Sequence, residues 1–106
     1  MITAAISVML DDTTMVYELN FETPQDEYEY EFARYQSYHE LIPIAKEQKQ
    51  PNPRQLELMD QFVAKAERIV GEGTAIAERG DYTTAIQAMQ AATDNIKRAL
   101  MLIGVR

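Results

Sequence analysis

The sequence predicts a mainly α fold: a three-helix bundle built on a long antiparallel helical hairpin, with a short N-terminal strand or β-hairpin. Two starts of the form cap-then-proline, Thr23–Pro24 and Asn52–Pro53, mark where helices begin. Behind each of them apolar residues recur at three-four spacing, whereas residues 16–21 alternate with a period of two. The chain has 106 residues, and one domain of that length buries about 65% of its unfolded surface. Apolar residues make up 46% and charged residues 25%, which suits a packed core and excludes wholesale disorder.

"ISVML" and "MVYELNF" are rich in strand formers, with "DDTT" between them. Tyr17, Leu19 and Phe21 alternate with Val16, Glu18 and Asn20, so residues 1–22 read as a hairpin extension turning at Asp11–Thr14. "MITAAISVML" also fits a short helix, with Ile2, Ile6, Met9 and Leu10 on one side, and the strand is the favoured assignment. A lone hairpin is marginal in water, so it must lie on the helices or pair with another chain.

Thr23 caps a first helix over residues 24–42, with Asp26 favourable in its first turn. Its apolar stripe is Tyr28, Phe32, Tyr35, His39 and Ile42, with Tyr38 alongside. Pro43 lacks an amide hydrogen, which predicts a kink or break there before two more turns through Lys49. The second helix spans 53–79, with Asn52 and Gln55 spaced as a capping box. Its stripe runs from Leu56 and Met59 to Gly73, Ala77 and Gly80, so its far end allows another helix to approach closely. Gly80 ends that helix in the left-handed region, and Asp81 caps the third, over 82–103. So short a connection makes the last two helices an antiparallel hairpin.

The stretch from Ile69 to Ile96 resembles one tetratricopeptide-type helical hairpin, carried by Gly73, Gly80–Asp81–Tyr82, Ala85 and Ala92. The proline that usually follows the second helix is absent around Lys97, and the chain holds no second copy of the pattern. The resemblance implies the hairpin geometry and, by analogy, protein interaction.

Charge is distributed unevenly. The net charge is −7, yet residues 1–33 hold eight acids and no base, while the remainder holds nine acids and ten bases. Such a chain is expected to avoid nucleic acid and anionic membrane and to attract a basic protein or a cation. An acidic mimic of nucleic acid is a weaker reading, because the eight acids are spread over several elements. No apolar run reaches the roughly 20 residues of a membrane span. The start has no basic residue for a signal peptide, so the sequence as it stands reads as cytoplasmic, or as exported if a signal has been removed ahead of it. Without cysteine there is no disulfide or thiolate site.

Five of the six tyrosines fall between Tyr17 and Tyr38. Glu27, Glu29, Tyr30, Glu31 and Tyr38 are the candidate partner-binding residues: tyrosine buries ring area while its hydroxyl stays satisfied, and the carboxylates supply charge. The simpler reading of Glu27 and Glu31 is a solvated face, and that of Tyr30 is a first helix covered on two sides. Tyr28, Tyr35 and His39 are the candidates for lining a small-molecule or cation pocket, the alternative function. His39 has no local nucleophile or second ligand at metal spacing, since Gln36 and Pro43 stand at those positions. No phosphate loop, nucleophile elbow or metal-ligand cluster stands out, so the residues point to a non-catalytic interaction or structural protein with no cofactor. Surplus apolar surface on the hairpin and an open strand edge predict self-association into a homo-oligomer.

Overall fold

The computed structural model describes residues 2–7 and 16–105, with side chains from Asn20 onward. Its elements are β1 (Ile2–Ser7), β2 (Val16–Phe21), α1 (Pro24–Lys49), α2 (Pro53–Glu78) and α3 (Tyr82–Leu102). Residues 2–7 therefore form a strand rather than part of a short helix. β1 and β2 pair antiparallel, with Ile2 opposite Phe21, Ala4 opposite Leu19 and Ile6 opposite Tyr17. The turn expected at Asp11–Thr14 lies outside the described residues.

The helix starts follow from the caps. Thr23 Oγ1 accepts from the Asp26 amide at 3.1 Å. Asn52 Oδ1 accepts from the Gln55 amide at 2.8 Å while Gln55 Oε1 accepts from the Asn52 amide at 2.9 Å, closing the reciprocal box. Asp81 Oδ1 accepts from the Thr84 amide at 3.1 Å. Between α2 and α3 the chain reverses at Gly80, whose φ of +87° is a conformation that only glycine adopts without strain.

The break expected near Pro43 does not occur. α1 runs unbroken from Pro24 to Lys49 and ends at Gln50, whose left-handed backbone donates its N–H to the Lys46 carbonyl at 3.1 Å. Pro43 forfeits one helical hydrogen bond and crowds the preceding turn. Ile42 and Ala45, on either side of it, are buried in the core, and burying an isoleucine alone is worth about 1.5–3 kcal/mol. Packing of the two flanking residues offsets the local cost and keeps the last turns helical.

The order of the helices in space differs from the order in the chain. α3 packs against both α1 and α2, while α1 and α2 meet mainly through long side chains. His39 to Glu67 at 2.9 Å and Lys46 to Asp60 at 3.0 Å run across from α1 to α2, and their numbering shows the two helices to be antiparallel. α3 accordingly lies parallel to α1, with Tyr28 beside Tyr82 and Glu31 beside Gln90. Ala85, Met89, Ala92, Thr93, Ile96 and Ala99 of α3 have no solvent exposure, as befits the central helix. Gly73 lets α2 approach it closely: a β-carbon built there would lie 2.9 Å from Ala88 Cβ and 3.0 Å from Met89 Cε.

Candidate interaction site

The predicted partner-binding residues separate in space. Glu31 is buried at the α1–α3 contact, where Oε2 accepts from Gln90 Nε2 at 3.3 Å and Oε1 faces Arg34 Nη1 at 3.5 Å. It was expected on a solvated face with Glu27, but position 31 lies on the α3 side of α1, and a carboxylate buried there needs the partners it has. Glu27 is half-buried. Glu29 is exposed and accepts from Gln25 Nε2 at 3.2 Å. Tyr30 is half-buried, and its ring lies 5.4 Å from that of Phe21, so the base of the sheet covers it. No single acidic, tyrosine-rich face results.

Tyr38 has a different environment from the one its sequence neighbours suggest. Its ring receives Arg34 Cζ at 5.5 Å and Lys97 Nζ at 5.6 Å, both within cation–π range. The charge around it is positive. Beside it a groove of about 180 Å³ opens between α1 and α3, lined by Tyr38, Leu41, Lys97, Leu100, Met101 and Val105. Leu41 is 40% exposed and Met101 58%, and Ile44, one turn beyond Leu41, is 50% exposed. These are the large hydrophobic side chains left exposed among the described residues. Leu41 and Ile44 fall off the stripe that buries Tyr28, Tyr35 and Ile42, because α1 spreads its apolar residues around its circumference. Two large aliphatic residues outside an already complete stripe were the available sequence signal for this surface, and inspection of the stripe alone passes over them.

The predicted ligand pocket divides in two. Tyr28 lies against Tyr82, with ring centroids 5.7 Å apart, in an open depression of about 290 Å³ that also includes Gln25, Glu29, Thr74 and Glu78. Burial raises its phenol pKa, and the nearby Glu78 adds to the effect. Tyr35 and His39 do come together, 5.6 Å apart, along a second open depression with Phe32, Gln36 and Glu40. Burial, and then Glu67, raises the Tyr35 phenol as well. His39 Nε2 lies 2.9 Å from Glu67 Oε2, a pairing across 28 positions that local spacing does not reveal. The neighbouring Ser37 hydroxyl is not available to this pair, since it donates to the Ala33 carbonyl at 3.1 Å. Among the described residues no three His, Asp or Glu side chains gather as metal ligands, and no helix is long and apolar enough to cross a membrane.

Comparisons with protein-family models, with curated proteins and with solved structures find no match.

Proposed function

We propose that this protein is a non-catalytic interaction module that receives a protein partner in the groove between the C-terminal halves of α1 and α3. The observation that carries the reading is the exposure of Leu41 and Met101 on one groove floored by Leu100, with Ile44 exposed one turn beyond Leu41. Large aliphatic side chains grouped on a surface and rimmed by charge are what a docking face needs, because burying them removes apolar area from water while the rim sets orientation. Tyr38, held between Arg34 and Lys97, is the anchor residue at one edge. The α2–α3 hairpin, where the resemblance to a tetratricopeptide-type hairpin lies, is the scaffold that holds α1 in place. Of the acidic, tyrosine-rich stretch foreseen as the contact surface, Tyr38 is the member kept in this role.

The test is photo-crosslinking in cells, with a benzophenone amino acid in place of Leu41 or Met101 and, as a control, of exposed Gln87. The expected outcome is a discrete adduct from the two groove positions and none from position 87. A pattern in which all three positions behave alike would sink the reading.

A further inference from the structure

We propose that the depression at the other end of the bundle from the groove, where Tyr28 meets Tyr82, is a second binding site that takes a protonated aliphatic amine. The site is independent of the groove, since Tyr28 and Leu41 stand about 20 Å apart along α1 at 1.5 Å per residue. α1 and α3 bring their first turns to this end, and α2 brings its last. The two rings line the depression, 5.7 Å apart and tilted by 53°, and Ala77 of α2 adds to its apolar lining. Tyr28 is the unusual member. It is 9% exposed, yet its hydroxyl has no hydrogen-bond partner among the described residues. A buried tyrosine hydroxyl ordinarily finds a partner, and a ligand seated in the depression can supply one.

Charge decides what that ligand is. Glu29 and Glu78 line the depression, and no Lys, Arg or His does. Glu29 accepts from the neutral Gln25 amide at 3.2 Å. Neither carboxylate has an ion-pair partner among the described residues. Glu78 adds to the burial that raises the Tyr28 phenol, so its negative field is felt at that hydroxyl. The starts of α1 and α3, which would otherwise draw an anion, are capped by the Thr23 hydroxyl and the Asp81 carboxylate. An anion is therefore repelled. An alkylammonium suits every group present: its charge faces the two carboxylates, an N–H is offered to the Tyr28 oxygen, and its methylenes lie on the rings and Ala77. Two sources carry that chemistry, a free amine and the lysine side chain of a protein.

Amide NMR titrations of the full chain test this, with n-butylammonium, Nα-acetyl-lysine methylamide and butyrate as probes. n-Butylammonium is expected to give saturable shifts at Thr74, Glu78 and Tyr82 at about 1–10 mM, as suits so small a ligand, and butyrate none. Tyr28→Phe keeps the buried ring and removes a hydroxyl that has no partner, while Glu78→Gln changes an exposed residue. Both variants are expected to fold as the wild type does and to weaken n-butylammonium at least about fivefold. Butyltrimethylammonium, which has no N–H, should bind the wild type and Tyr28→Phe alike. A capped lysine that binds as tightly as n-butylammonium assigns the site to a protein's lysine, and exclusion of the capped lysine alone assigns it to a free amine. Equal shifts with butyrate, or an affinity for n-butylammonium unaltered in Glu78→Gln, would overturn the proposal. So would the absence of saturable shifts at this end of the bundle.

Discussion

Gly73 offers the sharpest check on the helical packing, because α2 carries a second glycine two residues away that serves as its control. A methyl group at Gly73 would stand 2.9 Å from Ala88 Cβ and 3.0 Å from Met89 Cε, while one at Gly71 would meet nothing within 4 Å. Carbon atoms pack comfortably at about 3.5–4.0 Å, so Gly73→Ala obliges α2 and α3 to part by about 0.5–1 Å. Ala88 Cβ is fixed to the backbone and Met89 is fully buried, which leaves neither free to yield. Both substitutions gain the same helix propensity, about 1 kcal/mol. Overpacking of a close contact costs about 1–3 kcal/mol. Gly71→Ala is therefore expected to raise stability by up to about 1 kcal/mol, and Gly73→Ala to leave it unchanged or lower it by up to about 2 kcal/mol. The gap between the two variants isolates the packing cost. Urea titration followed by helical circular dichroism measures it, and a thermal scan should separate the midpoints by at least about 4 °C. Equal stabilisation by both substitutions would refute the close α2–α3 approach.

Two further outcomes follow from the structure. Pro43→Ala restores the missing N–H inside α1 without altering the buried Ile42 and Ala45, so it is expected to stabilise the protein by about 1–3 kcal/mol in the same titration, and a loss of stability would mean that Pro43 is needed where it stands. Tyr28 and Tyr35 have phenols raised above the ordinary 10.0, chiefly by burial, so the folded state holds their protons longer than the unfolded state does. The stability they contribute is complete below about pH 10 and drains away as pH climbs through the raised folded values. Tyrosinate absorbance should contain a late-ionising component that disappears in Tyr28→Phe and another that disappears in Tyr35→Phe; loss of only ordinary phenol ionisation in either variant would count against the burial of that ring.

Local chemistry was legible in the sequence and long-range chemistry was not. Thr23, Asn52 and Asp81 act as caps because a cap is decided within three residues of itself. The close approach at Gly73 followed from a stripe that narrows toward small residues. Continuity of α1 through Pro43 did not, because it depends on what Ile42 and Ala45 bury against, and that partner is α3, some fifty positions away. Glu31 and Glu27 share a turn spacing, but only the placement of α3 sends one of them inward to Gln90. The candidate site suffered most. Tyr38 was identified from its type, while its cation neighbours Arg34 and Lys97, and the aliphatic residues beside it, come together only when α1 lies parallel to α3.

The central position of α3 also sets the timing of folding during synthesis. When Glu78 has just been added to the growing chain, α1 and α2 are complete as sequence, yet the helix that both pack against has not been made. Translation at roughly 5–20 residues per second needs about 1–4 s for the 21 residues of α3. For that interval Tyr35, Ile42, Met59 and Ala66 have no surface to bury against, and a nascent-chain chaperone has its longest opportunity to hold them. The bundle then forms when its last helix arrives, nearly all at once.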